Sequence, residues 1–187
     1  MSRRSLLPRE HGAYFQLAVP LVAAAISQLP GIAGAALMAA SCLAFLAHEP
    51  LLILVGARGT RLRSIEGKRA RVWFVLLAGS AAALGAIGLV MAPPATILVA
   101  VPAVATGAAL VAAATRRSEH TLGGELVAAV ALTGAAGVAR VASGAAVQPA
   151  LLHWLGWAIG FGATVIAVHR VIARHKRPAM LVDRLPR

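Results

Sequence analysis

The side chains of this chain that are suited to chemistry are a few acids, histidines and arginines at or inside long apolar segments. Glu49 follows His48 in one such segment, and Glu125 begins another. Ionisable groups are costly in hydrocarbon, so they normally face the interior of a helical bundle or a wet cavity. We therefore interpret them as a candidate binding site for a small molecule or a lipid headgroup. Its members are Arg9, Glu10, His11, His48, Glu49, Glu125, His169 and Arg170.

Two carboxylates near imidazoles and arginines suit a divalent cation that holds a phosphate or pyrophosphate headgroup. Glu49 and Glu125 are the metal candidates in this hypothesis, which describes a membrane-embedded lipid or prenyl-type transferase. Against it, Asp183 is the only Asp of the chain, so the Asp-rich diphosphate motifs of membrane prenyltransferases are missing. No catalytic residue is assigned, and the sequence leaves open whether the protein is an enzyme.

Histidine chemistry gives two further hypotheses. His48 and His169 fall in different apolar segments and would be haem ligands, but their estimated depths in the membrane differ by about 8 Å. Haem is therefore a weaker cofactor hypothesis than a divalent cation. In the other hypothesis the protein is a small transporter, in which Glu49, Glu125 and His169 take protons or bind substrate at a gated cavity. A haem- or quinone-associated membrane subunit is a further alternative.

These residues are positioned by apolar segments long enough to cross a bilayer. The chain has 187 residues, of which 59% are hydrophobic and 13% charged, and its mean hydropathy is +0.81. A span needs about 20 predominantly apolar residues. Six segments fit, so we predict an all-α polytopic membrane bundle of six transmembrane helices in a single domain, 1–187. The predicted spans are roughly 12–29, 32–56, 72–91, 95–115, 121–139 and 150–173.

Basic residues mark one side of these spans. All of the 18 Lys and Arg residues except Arg140 lie at the termini, or in or beside connections that share one side of the membrane. Six of them lie between Arg58 and Arg71, which we interpret as a basic loop. Because Lys and Arg are enriched in cytoplasmic loops, both termini are predicted to be cytoplasmic.

The distribution of charge also predicts the partners. The formal net charge is +12, but the basic residues lie in short segments that set orientation and attract anionic lipid headgroups. We expect the lipid bilayer and anionic headgroups as partners, and no nucleic acid. Cys42 is the only Cys, so neither a disulfide framework nor a Cys-based metal site can form. Gly156 and Gly160 stand one turn apart and permit a close helix contact, within a protomer or in a homo-oligomer.

Helical rise places the two deeper acids at a similar level. Glu49 lies nine residues before the first arginine of the basic loop and Glu125 eight residues after Arg117, which corresponds to depths of about 12–14 Å. We predict a polar cavity that opens to the cytoplasm, with these acids at its floor. The alternative is a purely structural ion pair of either acid with Arg9 or Arg170.

Three stretches of the chain resemble a family of bacterial membrane proteins. Residues 8–14, Pro-Arg-Glu-His-Gly-Ala-Tyr, precede an apolar span that contains Pro20; residues 119–126 form an acidic segment after a basic loop; and residues 162–174 form a closing helix. Together they resemble the YwiC-like family. The resemblance implies a multi-spanning protein of the bacterial inner membrane and names no substrate. The chain departs from the family in Tyr14, where Trp is usual, and in Gly124-Glu125, where an Asn-Asp type pair is common.

Overall fold

The structure, a computed structural model, describes residues 6–8, 11–116, 118 and 120–182, and of residues 11 and 176–182 it describes the backbone alone. Within this part of the chain there are helices and turns but no strand, which confirms the all-α prediction. Six helices follow one another: α1 His11–Ser27, α2 Ile32–Leu54, α3 Thr60–Met91, α4 Thr96–Thr115, α5 Leu122–Ala142 and α6 Val147–Val182.

The helices have the length and composition of membrane spans. Five of them, α2 to α6, are long and apolar enough to cross a bilayer. The sixth, α1, has 17 residues and lies at about the lower limit for a span. A polytopic helical membrane bundle is therefore confirmed as the fold class. Each predicted span overlaps one helix, although α3 and α6 extend well beyond theirs.

The first turns of α3 correct the interpretation of residues 58–71 as a loop. The helix begins at Thr60, and only residues 55–59 form the turn, in which Gly56 and Gly59 have φ angles of 79° and 101°. Hydropathy finds only the apolar part of a helix, whereas Arg, Lys and Glu are good helix formers and continue it. At about 1.5 Å per residue, the 32 residues of α3 exceed the hydrocarbon thickness by about 18 Å.

The centre of the bundle is α5, which packs against α1, α2, α4 and α6. Its small residues allow this close approach, as is usual for helices packed in lipid. A Cβ atom on Gly134 would lie 3.0 Å from the indole ring of Trp154, and the same indole donates a hydrogen bond from Nε1 to the carbonyl of Val130 at 2.8 Å. α3 packs chiefly along α2.

The two ends of the bundle differ in chemistry. We call the end where α2 and α4 end and α3 and α5 begin the basic end; it carries Arg58, Arg61, Arg63, Lys68, Arg69, Arg71 and Arg116. At the opposite end, the turns 28–31, 92–95 and 143–146 contain no Lys or Arg. There Arg140 donates to the hydroxyl of Ser27, and the amide of Gln28 donates to the carbonyl of Ser143 at 2.6 Å. These bonds tie α1 to α5.

Candidate functional site

A cavity of about 830 Å³ lies between the α2–α3 hairpin and α4, with α5 as its floor and α1 beside its basic end. Small apolar residues form most of its surface, because they leave unfilled the space that larger side chains would occupy. Representative lining residues are Ala40 and Ala44 on α2, Ala82 and Gly85 on α3, Ala103 and Gly107 on α4, and Ala128 and Ala135 on α5.

The cavity is polar at one end and apolar at the other. Its ionisable lining residues gather near the basic end: His48, Glu49, Arg58, His120 and Glu125. Toward the opposite end it is lined by Leu37, Leu89, Ala100 and Val138. A molecule with a polar head and an apolar body would match this gradient along the axis of the bundle.

Glu49 is the more buried of the two acids, and its carboxylate is held in an ion pair. Its residue is 3% exposed, and its carboxylate accepts hydrogen bonds from Arg58, from Nη2 at 2.9 Å and from Nε at 3.1 and 3.2 Å. The turn that follows α2 makes this contact possible, since the amide of Arg58 returns to donate to the carbonyl of Leu52. The two glycines with positive φ, Gly56 and Gly59, allow that reversal.

Glu125 lies in the first turn of α5, where a carboxylate is favoured by the helix dipole. The hydroxyl of Thr121 caps this helix by accepting from the amide of Gly124 at 3.1 Å. The carboxylate contacts Nε2 of His169 on α6 at 3.1 Å, an ion pair when the imidazole is protonated. The side chains of Glu125 and His169 are 36% and 32% exposed, so this pair is far more open than that of Glu49.

The structure brings together some of the predicted site residues. His48, Glu49 and Glu125 line the same cavity, and His169 reaches the group through Glu125. The structure does not bring Arg170 into it, because Arg170 is exposed and is not among the lining residues. Three other candidates cannot be placed: Arg9 and Glu10 lie outside the described residues, and of His11 only the backbone, at the start of α1, is described.

The estimated depth of the acids was wrong. The estimate counted helical rise as far as the arginines, but α2 ends at Leu54 and α5 begins at Leu122. Both acids therefore lie closer to the basic end than the estimate placed them. Glu49 pairs with Arg58 and Glu125 with His169. Of the two expected partners, Arg170 is in neither of these pairs, and Arg9 lies outside the described residues.

The predicted site lacked two of the ionisable residues that line the cavity, Arg58 and His120. The signal for Arg58 was a glycine on each side, Gly56 two residues before it and Gly59 directly after it. This pattern is typical of a turn that folds back on the preceding helix. The available signal for His120 was its position directly before the predicted fifth span, 121–139.

Among the described residues there is no group of three or more His, Cys, Asp or Glu side chains that could hold a metal ion. Both oxygens of Glu49 accept hydrogen bonds from Arg58, and Glu125 contacts His169. Each acid is therefore engaged by a protein partner, an arrangement that does not favour a shared divalent cation.

The length and composition of the helices define a polytopic helical membrane protein. A family model described as YwiC-like protein matches residues 7–140, and the chain belongs to that family. The matched range contains the first two stretches that carry the resemblance and ends before residues 162–174 in α6. No curated protein matches the chain, and no solved structure matches it.

Proposed function

We propose that this chain is a single-domain, six-span protein of the bacterial inner membrane that binds one amphipathic small molecule in its cavity. The polar head of the ligand lies near Glu125 and His120, and its apolar body extends along α4 and α5 toward the opposite end. The observation that carries this proposal is the cavity itself, apolar along its length with its ionisable lining residues near one end.

The volume of the cavity supports an occupant. About 830 Å³ falls within the range of small-molecule sites, about 300–1,000 Å³, and it far exceeds the voids that a packed interior leaves. An empty apolar space of this size forfeits dispersion contacts along its whole surface, and apolar walls offer water few partners. An apolar chain restores those contacts and needs no hydrogen bonds.

The chemistry at the polar end favours a head group that donates hydrogen bonds. Glu49 is neutralised by Arg58, whereas the more open carboxylate of Glu125 keeps lone pairs beyond the one that contacts His169. A hydroxyl or amine on the ligand would donate to that carboxylate. This geometry does not favour the transferase hypothesis, because that hypothesis requires both acids to bind one cation.

Occupancy is tested with a variant that fills the cavity. A Cβ atom on Gly107, which lines the cavity, would meet no heavy atom within 4 Å, and the same holds for Gly156 on α6, which does not line the cavity. Gly107→Phe should therefore exclude the ligand while Gly156→Phe retains it. Native mass spectrometry of gently extracted protein compares the bound mass in the wild type and both variants. If Gly107→Phe keeps the bound mass, or if none of the three proteins carries one, the proposal is overturned.

The distribution of charge supports a cytoplasmic position for the basic end and both termini. The basic end carries every described Lys and Arg outside α6 except Arg140, and Lys and Arg are enriched on the cytoplasmic side of membrane proteins. The test uses cysteines at two exposed positions, Gly31 at the opposite end and Ser64 at the basic end, with Cys42 replaced by Ala. In intact cells whose outer barrier is opened, a membrane-impermeant maleimide should label Gly31→Cys at once and Ser64→Cys only after lysis. The reverse order would contradict the orientation.

A further inference from the structure

We infer that the ligand of this cavity is a membrane lipid and that it enters sideways from the bilayer, through the gap between α3 and α4. The inference rests on the proposed function, because it concerns the source of the molecule that the cavity binds. It is carried by three features of the two helices: how they are connected, how exposed their lining residues are, and the chemistry of those residues.

α3 and α4 are joined by a tight turn at the opposite end of the bundle. In that turn the amide of Thr96 donates to the carbonyl of Pro93 at 2.9 Å, and the amide of Ile97 donates to the carbonyl of Pro94 at 3.1 Å. Beyond the turn, α3 packs along α2 and α4 packs along α5, and the two helices are not in extensive contact with each other. One wall of the cavity is therefore built from two helices without a packed seam between them.

The exposure of the lining residues also indicates that the cavity opens between α3 and α4. On α5 the lining side chains are buried or half-buried; Leu132 and Val138 are each 9% exposed. On the gap helices, Leu89 is 43% exposed and Val104 is 71% exposed, although both line the cavity. A residue that lined a closed chamber would be covered on its outer side by neighbouring helices. The cavity therefore reaches the outer surface of the bundle between α3 and α4.

The residues of α3 and α4 that line the cavity are apolar throughout. They include Ala82, Gly85 and Leu89 on α3 and Val104, Gly107 and Ala108 on α4. A polar ligand passing here would lose its hydration without gaining hydrogen bonds, whereas an apolar chain passes from hydrocarbon to an apolar wall. The head group meanwhile stays near the basic end, at the level of the lipid headgroups. These properties fit a lipid with a slender apolar chain and exclude a polar metabolite as the molecule that uses this route.

The test closes the gap with a removable link. In a Cys42→Ala background, Ala82→Cys and Val104→Cys are joined by a bis-maleimide that contains a disulfide, and the lipid-stripped protein is placed in nanodiscs. The probe is a long-chain alcohol with a diazirine in its chain, supplied in the bilayer. Photolysis at successive times, followed by mass spectrometry of peptides from residues 37–45 and 100–111, measures arrival in the cavity. Labelling should be lost in the linked protein and restored when a reductant cleaves the link.

Order of addition separates a blocked route from a damaged site. When the probe is added before the link is formed, the linked protein should retain labelling of the cavity peptides. Equal labelling rates with and without the link would overturn the lateral route and leave the proposed function standing. No labelling of the cavity peptides in the unlinked double variant and in its Cys42→Ala parent would instead overturn the proposed function.

Discussion

At the scale of single residues, the ion pair of Glu49 and Arg58 makes the largest electrostatic demand on the described structure. Glu49 is the one charged residue that is buried among the described side chains, at 3% exposure, while the side chain of Arg58 is 24% exposed. A buried carboxylate is tolerated only while its partner and hydrogen bonds are in place. The two side chains therefore differ in their exposure to water, because Arg58 keeps contact with water and Glu49 does not.

That inequality predicts different costs for the two single substitutions. Arg58→Gln leaves the buried carboxylate without its cation and should lower the free energy of unfolding by about 3–5 kcal/mol. Glu49→Gln should cost less, because Arg58 can turn toward water, and the double variant should recover part of the loss. Unfolding in mixed micelles measures all three.

The pair of Glu66 and Arg69 on α3, in which the carboxylate is less buried than that of Glu49, is the control for this prediction. These side chains are 3.4 Å apart on one face of α3, and Arg69 and Glu66 are 37% and 13% exposed. Arg69→Gln should lower the free energy of unfolding by no more than about 1 kcal/mol. If Arg58→Gln costs no more than Arg69→Gln, the pairing of Glu49 is not structurally important.

The residues of the site also show what sequence alone can predict. The cost of charge in hydrocarbon was enough to select His48, Glu49 and Glu125, which share a cavity. It was not enough to choose their partners, because pairing depends on how the turn at Gly56 and Gly59 redirects the chain. Hydropathy and charge counts contain no information on backbone dihedral angles.

At the scale of helices, the phase of α6 explains why adjacent candidates separate. His169 is one turn after Val165, so the two share a face, and Val165 lines the cavity while His169 contacts Glu125. Arg170 is rotated by about 100° from His169 and is exposed. The sequence analysis placed both neighbours in the candidate site, and the position of α5 was required to separate His169 from Arg170.

Close packing of α2 on α3 gives a prediction at this scale. A Cβ atom on Gly88 would lie 2.7 Å from Cγ of the buried Leu37 and 3.2 Å from the carbonyl of Ala33, whereas one on Gly79 would meet nothing within 4 Å. Gly88→Ala should therefore destabilise the protein by about 1–3 kcal/mol. Gly79→Ala, in the same helix, should be neutral or stabilising by up to about 1 kcal/mol. Thermal unfolding in one detergent compares the two.

An equal effect of Gly88→Ala and Gly79→Ala would show that α3 does not pack against α2 at this level. The comparison is informative because both substitutions add the same methyl group to the same helix. Only the neighbours differ, so the intrinsic preference of alanine for a helix is common to both variants.

At the scale of the whole molecule, the fold follows from the same composition that leaves the cavity open. Ala and Gly let α5 contact α1, α2, α4 and α6 closely, since small residues permit short distances between helices in lipid. The same residue types on the facing sides of α3 and α4 leave space, because these helices each pack elsewhere. Composition therefore predicted a bundle, but not which of its helix pairs would remain apart.

A bound lipid should contribute to the stability of the whole bundle. A ligand present at about 100 times its dissociation constant adds about 2.7 kcal/mol to the free energy of unfolding. Removing lipid by extensive detergent washing should therefore lower the Tm of the wild type by about 5–10 °C. Gly107→Phe occupies part of the space and has no ligand to lose, so its Tm should change much less, while Gly156→Phe should behave as the wild type. A wild type whose Tm is unaffected by washing, although washing removes the bound mass, would mean that the occupant does not hold the helices around the cavity together.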